Sequence, residues 1–341
     1  MSRVLKVGKL DSDVLEELVI KKIKFKRPEV RTGAGIGEDC AVVDFGDYDC
    51  VISTDPITAS VKDIGRLSVH ISCNDIASNG VEPVAITLCV LLPEGTTYEE
   101  VSVMGDQAEA AAESVGVQIV GGHTEVTGAV KQPVIVSTAF GRALKENFQD
   151  AAQMAPGDVL IVTKKAALEG TGILCTEREE ALRSVLTDEE LARGKDMLSQ
   201  VSVVREGIIA GGIGTHGMHD VTEGGLLGAV WEMCEIAHLG CEIDEEKLPV
   251  DELTRRVASF FGADWQRMIS SGCMLIAASP ENGAEIADKV RAAGIDACVI
   301  GTVKEKGYGR MIRRADGKCE EIAPPAADEI YRALGEQRTG D

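Results

Sequence analysis

The sequence predicts a two-domain protein of the mixed α/β (α+β) class. Its 341 residues are enough for two domains of ordinary size. Hydrophobic residues make up 44% of the chain and aromatic residues only 4%, so aliphatic side chains must build the core. Short apolar strands alternate with helical patterns in both halves, and a polar stretch at 141–157 separates them. We therefore assign residues 1–150 to a first domain and residues 151–341 to a second.

The helices of the first domain are predicted from hydrophobic spacing and from capping residues. Asp13 with Glu16, and Thr97 with Glu100, have the spacing of capping boxes at helix starts. Gly116 is expected to end the second of these helices. In chain order we expect a helix at 10–24, a basic glycine-rich loop at 24–37, strands at 41–43 and 50–54, a helix at 63–79, a strand at 84–91, the helix after Thr97, and strands at 117–120 and 134–140.

The second domain repeats this mixture of strands and helices. The expected elements are a strand at 159–163, helices near 187–210 and at 224–237, a strand at 273–278, a helix near 281–293, a strand at 297–300 and a helical tail at 323–341. The order of the strands within each sheet does not follow from these patterns.

The formal net charge of -21 restricts the partners of the protein. Such an acidic surface repels nucleic acid and anionic membranes, so we expect neither as a partner. The ten cysteines form no C-x-x-C pair, and most lie in apolar runs, which predicts buried reduced thiols. Residues 1–9 contain no apolar segment of a signal peptide, and no apolar run approaches the roughly 20 residues that span a bilayer. We therefore expect a cytoplasmic protein.

Glycines precede acidic residues at the end of the basic loop. Gly33, Gly35 and Gly37 lead into Glu38 and Asp39. Glycine lets a backbone approach phosphate closely, and a carboxylate behind it can hold Mg²⁺. The alternative interpretation is a surface turn.

Two further acidic residues of the first half are candidate magnesium ligands. Asp55 comes just after an apolar strand and before Pro56, where a simple turn is the alternative interpretation. Asn74 and Asp75 interrupt an apolar helix, although both residue types are poor helix formers. A local rule broken inside a strong element indicates function, and a solvent-facing turn of the helix is the alternative.

The run Gly121, Gly122, His123, Thr124 and Glu125 continues directly from a predicted strand. If the strand extends, His123 and Glu125 lie on one face, where both could contact Mg²⁺ or phosphate. A purely structural histidine is the alternative.

In the second domain, Asp220, Thr222 and Gly224 come just before a predicted helix, and helix N-termini bind anions. Nearby, 212–217 matches G-x-G-x-x-G but follows a helix rather than a strand, which argues against a dinucleotide site. His216 and His219 have no spaced Cys or His partners that would indicate zinc. No G-x-x-x-x-G-K-[ST] motif is present, which excludes a P-loop kinase.

Taken in order, these segments resemble the aminoimidazole ribonucleotide (AIR) synthetase superfamily, the PurM-like proteins. That superfamily includes the purine enzyme itself, thiamine-monophosphate kinase, selenophosphate synthetase and the hydrogenase-maturation protein HypE. The resemblance runs from about residue 8 to residue 303 and is strongest to HypE-like members. The segments that carry it are 35–43, 63–83, 121–125, 220–226 and 271–273.

The resemblance implies a two-domain PurM-like fold and a homodimer whose N-terminal sheets join into a barrel. It also implies that ATP binds in a cleft near that interface, together with Mg²⁺. By position, Asp39, Asp55 and Asp75 match the magnesium and phosphate carboxylates of the family, with Asn74 beside them. Asp220 matches the acidic residue of the second domain.

Three positions depart from the family pattern. His123 replaces an Asp of thiamine-monophosphate kinase and HypE, and neutral imidazole is a poor magnesium ligand. Glu125 could therefore replace it as ligand, with His123 contacting phosphate or substrate. The last thiol is Cys319, whereas HypE ends in a Pro-Arg-Ile-Cys-type tail, and no Cys precedes Cys40 for selenophosphate chemistry.

Two functional hypotheses follow from these residues. In the first, an ATP- and Mg²⁺-dependent enzyme phosphorylates an oxygen of a small amide, carboxylate or phosphate substrate near His123, Glu125 and Asp220, and Lys24 and Lys26 close over the phosphates. Solvated surface is the alternative for the two lysines. In the second hypothesis, the protein is a nucleotide-binding maturation factor for a metalloenzyme such as hydrogenase, with little turnover.

Overall fold

The computed structural model describes residues 10, 12–36, 38–58, 62–144 and 151–335. Two mixed β-sheets with helices packed on them form the two halves of the chain. In chain order, the first sheet ends at Leu144 and the second begins at Val159. The predicted two-domain α/β class is therefore confirmed. No described helix is both long enough and apolar enough to cross a membrane.

The first sheet has six strands, and only one of its pairings is parallel. Its strands are β1 (Val30–Thr32), β2 (Ala41–Asp44), β3 (Tyr48–Ile57), β4 (Pro83–Leu92), β5 (Gln118–Val126) and β6 (Val134–Leu144). They lie in the spatial order β1-β2-β3-β6-β4-β5, with β4 and β5 parallel. The described α-helices of this half are α1 (Ser12–Leu18), α2 (Ile64–Ser78) and α3 (Tyr98–Val115). Strand β5 is therefore an edge strand, and almost all of its residues are exposed.

The second sheet has seven strands in the spatial order β13-β12-β9-β11-β7-β10-β8. These strands are β7 (Val159–Thr163), β8 (Gly217–Asp220), β9 (Gly240–Asp244), β10 (Met274–Ala278), β11 (Ala297–Lys304), β12 (Arg310–Arg313) and β13 (Cys319–Glu321). The α-helices are α4 (Leu168–Glu177), α5 (Glu179–Leu182), α6 (Asp188–Asp196), α7 (Val204–Ile213), α8 (Gly225–Ile236), α9 (Glu252–Phe260), α10 (Pro280–Ala292) and α11 (Glu329–Leu334). Of the expected helical tail, 336–341 lies outside the described residues.

Helix α2 is buried on all sides because it lies between the two domains. It packs on β3 and β6 of the first sheet and on α7 and β8 of the second domain. Every residue of α2 except Arg66 is buried. A solvent-facing turn at Asn74 and Asp75, which the sequence left open, is therefore wrong.

The capping signals of α3 are confirmed in the structure. The Thr97 hydroxyl accepts a hydrogen bond from the Glu100 N–H at 3.2 Å, and the Glu100 carboxylate accepts one from the Thr97 N–H at 2.7 Å. Gly116 ends the helix with a φ of 71°, a backbone conformation that favours glycine. By contrast, α1 already includes Ser12, so Asp13 is not an N-cap, and this helix ends at Leu18.

Two strands are longer than the sequence predicts. We expected one to end before Asp55, but β3 continues through Pro56 to Ile57. Strand β2 pairs with β3 only as far as Ile52, so Pro56 has a strand partner on one side, and the missing N–H is tolerated. Strand β5 likewise extends through Glu125 to Val126, because the whole segment pairs with β4. The C-terminal ends of β3 and β5 are therefore set by pairing with strands distant in sequence, which local sequence patterns do not reveal.

The contact between α7 and α2 depends on glycine. A Cβ added to Gly207 would lie 2.5 Å from the backbone oxygen of Ala77, whereas one added to Gly212 meets nothing within 4 Å. We therefore expect Gly207→Ala to lower the free energy of unfolding by about 1–3 kcal/mol through overpacking. Gly212→Ala in the same helix is the matched control and should stabilise by about 0.5–1 kcal/mol. Urea denaturation measures both, and equal effects would contradict the packing argument.

Candidate functional site

Four acidic side chains that the sequence singled out meet where the two domains join. Asp39 precedes β2, Asp55 lies on β3, Asp75 on α2, and Asp220 at the end of β8. Burial, followed by the charges of Asp220, Asp55 and Asp39, raises the pKa of Asp75 well above its ordinary value. Residues far apart in the sequence therefore form one acidic cluster, which we call the interdomain carboxylate cluster.

Hydrogen bonds fix the first-domain side of this cluster. The Ser53 hydroxyl donates to the Asp75 carboxylate, and the Ser78 hydroxyl donates to Asp39 Oδ2 at 3.2 Å. The Cys40 thiol donates to the backbone oxygen of Asp75 at 3.2 Å. Burial and the neighbouring carboxylates raise the pKa of this thiol well above its ordinary value. Cys40 is therefore an unreactive packing residue at the edge of the site.

Asp220 is the least satisfied member of the cluster. It is only 1% exposed, and neither carboxylate oxygen accepts a hydrogen bond from any residue that the structure describes. Burial raises its pKa, and His219 partly opposes that effect. A buried carboxylate without partners is costly, and a bound cation removes that cost.

The donor atoms of the cluster fit a divalent cation. Asp39, His219 and Asp220 each place one possible ligand atom within 4.8 Å of the others. Hard carboxylate oxygens are the ligands that Mg²⁺ prefers in proteins. The unsatisfied Asp220 oxygens supply the independent structural reason to expect a cation here. Asp55 and Asp75 extend the set of carboxylates toward the first sheet.

His219 is a site residue that the sequence analysis set aside. Its Nδ1 lies 3.1 Å from Asp39 Oδ2 and its Nε2 lies 3.2 Å from Glu232 Oε2 on α8. Burial lowers the pKa of this imidazole, but the neighbouring carboxylates of Asp39, Asp220 and Glu232 outweigh burial and raise it well above its ordinary value. Only its position directly before Asp220 in an apolar segment indicated a buried site.

Asn74 contributes to the site by holding the domains together. Its Nδ2 donates to the backbone oxygen of Val201 at 2.8 Å, and its Oδ1 accepts from the backbone N–H of Val203 at 2.8 Å. Both ends of the amide are therefore engaged by the second domain. A direct contact of Asn74 with nucleotide stays a prediction.

His123 and Glu125 lie on edge strand β5, away from the interdomain carboxylate cluster. Their side chains are exposed, and His123 Nε2 is 3.2 Å from Glu125 Oε2. Gly122 lies level with Asp55 across the first sheet, since residues on β6 and β4 pair in register between them. Three strand spacings correspond to roughly 14 Å. Within one chain, β5 therefore forms a separate exposed region that includes Gly121 and Gly122.

The loop before α8 is held by the last described helix. Gly224 has a φ of 89°, and its N–H donates to Asp328 Oδ2 at 2.7 Å. The Tyr331 hydroxyl donates to Glu223 Oε1 at 2.7 Å. The sequence placed Thr222 and Gly224 at a helix N-terminus, and Gly224 is the N-cap of α8. The dependence of this loop on Asp328 was not foreseen, because the two segments are 104 residues apart.

The basic loop before the cluster is described only in part. Gly37 lies outside the described residues, and Gly35 accepts a hydrogen bond from the Glu38 N–H at 3.4 Å. Lys24 and Lys26 are exposed. The predicted closure of this loop over phosphates stays a prediction.

Comparison with known proteins identifies the family. Residues 37–143 match the model of the AIR synthase related protein N-terminal domain, and residues 155–314 match that of the C-terminal domain. The chain belongs to the AIR synthase related family. It is 28% identical over 339 residues to the carbamoyl dehydratase HypE of Rhodobacter capsulatus, and the match covers 95% of both chains.

Solved structures support the same fold for this AIR synthase related protein. The hydrogenase maturation protein HypE in complex with ATP superposes with a TM-score of 0.72 at 22% identity, covering 96% of this chain and 97% of that chain. The ThiL protein AaThiL, complexed with AMPPCP and TMP, superposes with a TM-score of 0.73 at 16% identity, covering 95% and 99%. The family resemblance predicted from the motifs is confirmed.

A buried glutamate near the α8 loop gives this family member a pH-dependent stability. Burial raises the pKa of Glu169 to about 7. A raised carboxyl pKa favours folding below about pH 4.5, and the advantage is lost as the pH rises through 7. Between pH 4.5 and pH 8, ionisation of Glu169 should lower the free energy of unfolding of the wild type by roughly 3 kcal/mol. Glu169→Gln cannot ionise, so we expect its free energy of unfolding to gain the same roughly 3 kcal/mol on the wild type over this pH range.

Urea denaturation at the two pH values measures this difference. Glu113→Gln, at an exposed position of α3, is the matched control for replacing a glutamate by glutamine on the surface. If the stability difference of Glu169→Gln is the same at both pH values, the proposed ionisation of Glu169 is wrong.

Proposed function

We propose that this protein binds ATP with Mg²⁺ at the interdomain carboxylate cluster and is an ATP-dependent phosphotransferase or ligase-type enzyme. The observation that carries the proposal is the convergence of Asp39, Asp55, Asp75 and Asp220 from two domains on one site. A strongly acidic protein can hold a polyphosphate at such a site only with cations, which these carboxylates are suited to bind.

The residues of the chain then have separable roles. Asp39, Asp55 and Asp75 would hold Mg²⁺, which supplies charge neutralisation at the phosphates when bound. Asn74 fixes the angle between the domains, so that Asp220 faces the first-domain carboxylates. Asp75 and Asp220 are buried, whereas Asp39 and Asp55 are half-buried, so charges act most strongly at the buried end of the cluster. The chain thus contributes positioning and electrostatics, the main requirements of phosphoryl transfer.

The acceptor is proposed to be an oxygen of a small amide, carboxylate or phosphate. The relative from Rhodobacter capsulatus is named a carbamoyl dehydratase, which places an amide-type group among the candidates. The alternative is a weakly catalytic nucleotide-binding maturation factor, which the hydrogenase-maturation name of the HypE structure favours. Incubation with Mg²⁺ and ATP, alone and with a panel of these acceptors, separates the two. Acceptor-stimulated ADP release supports the enzyme, whereas binding without turnover supports the maturation factor.

A homodimer is part of the proposal, because the first sheet of one chain ends in an exposed strand. Val120 and Val126 on β5 are 54% and 59% exposed, although valine is usually buried. An unpaired edge with apolar side chains favours association with a second copy. We infer that two first sheets join along this region into a barrel, which places His123, Glu125, Gly121 and Gly122 at the interface.

Replacing one buried carboxylate tests the nucleotide site. We expect Asp75→Asn to abolish magnesium-dependent ATP binding, because asparagine keeps the shape and removes the charge. Isothermal titration with ATP, with and without Mg²⁺, measures the effect. Asp106→Asn, on the exposed face of α3, is the matched control and should bind as the wild type does. Unchanged affinity in folded Asp75→Asn protein would remove Asp75 from the proposed site.

A charged substitution tests the dimer. Val126→Lys places an ammonium group in the proposed interface, and we expect the mass in sedimentation equilibrium to fall from dimer to monomer. Val103→Lys, at a similarly exposed valine on α3, should leave the dimer intact. A monomeric wild type would refute the proposed interface directly.

A further inference from the structure

The imidazole of His219 lies between carboxylates that come from different elements. Nδ1 is 3.1 Å from Asp39 Oδ2 and 3.9 Å from Asp220 Oδ1. Although the first distance is short, Nδ1 is not aimed well enough at any described acceptor to form a hydrogen bond. Nδ1 therefore lies close to both carboxylates without forming a hydrogen bond with either.

The other ring nitrogen, Nε2, lies beside a carboxylate, as the second nitrogen of metal-binding histidines often does. Nε2 lies 3.2 Å from the carboxylate of Glu232, which is itself buried on α8. Histidines that bind metals almost always give their second nitrogen to a carboxylate or carbonyl, which fixes the ring and makes the free nitrogen a better ligand. The Glu232–His219 pair has this arrangement, with Nδ1 left to act as the ligand.

The distances suit a single ion. Ligand atoms bound at about 2.1 Å to one cation lie roughly 3.0–4.2 Å from one another, depending on the angle between them. The two measured distances from Nδ1, 3.1 and 3.9 Å, fall in that range. Asp220 has two buried oxygens without a hydrogen bond among the described residues, so a cation would satisfy a side chain that the fold leaves unsatisfied.

We propose that Asp39, His219 and Asp220 form a mixed nitrogen and oxygen site for a first-row transition ion such as Mn²⁺, with Glu232 as its supporting carboxylate. An imidazole donor favours transition ions, whereas Mg²⁺ prefers an all-oxygen set. The inference rests on the proposed function to the extent that Asp39 is shared with the proposed ATP site. It goes beyond that function because it concerns a different donor set and a different class of ion.

Electron spin-echo spectroscopy of Mn²⁺ bound to the full chain, without nucleotide, tests the site directly. We expect a ¹⁴N coupling from one bound imidazole, and Mn²⁺ binding at least about tenfold tighter than Mg²⁺ in competition. His219→Asn should remove the coupling and the preference. His238→Asn is the matched control, because His238 is exposed and has a φ of 54°, which asparagine tolerates.

Glu232→Gln keeps the imidazole and so serves if His219→Asn does not fold. It should retain the ¹⁴N coupling and weaken Mn²⁺ binding about 10–100-fold. Mn²⁺ bound without ¹⁴N coupling, a coupling that survives in His219→Asn, or no Mn²⁺ binding would each overturn the proposal. Because nucleotide is absent from all of these measurements, failure of the proposed ATP function leaves their outcome unaffected.

Discussion

One buried amide side chain joins α2 to the second domain directly beside the candidate site, within the apolar packing that the two domains share. Asn74 bonds to the backbone of Val201 and Val203 with both ends of its amide, from the middle of a helix that has almost no exposed surface. Loss of such a side chain leaves buried backbone groups unpaired, at about 1–3 kcal/mol each. Because Asp75 is the next residue, the turn of α2 that joins the domains also aims the first-domain carboxylate toward Asp220.

The interdomain carboxylate cluster concentrates negative charge where the protein can least disperse it. Burial and mutual repulsion raise the pKa values of Asp75 and Asp220, so protons and cations compete for the same oxygens. His219 partly relieves this repulsion in the protein without ligand, since it sits between Asp39 and Glu232. The fold therefore tolerates an arrangement of buried carboxylates that a bound cation would stabilise further.

Local patterns in the sequence predicted the carboxylates but not the groups that support them. Asn74 and Asp75 broke the propensity of a strong helix, and Asp39 and Asp220 stood beside glycines or at a helix start, so each left a local signal. Glu169 and Asp328 left none, because their partners lie far along the chain, and His219 left only its position directly before Asp220. The ends of β3 and β5 were missed for the same reason, since distant pairing decides them.

The anchoring of the α8 loop by α11 has a consequence for biosynthesis. The carboxylate of Asp328 that receives the Gly224 N–H is made 104 residues later. At ribosomal rates of about 5–20 residues per second, Asp328 is synthesised roughly 5–20 s after Gly224. The first sheet is complete in sequence well before this moment, whereas the α8 loop is among the last parts of the nascent protein to acquire its native contacts.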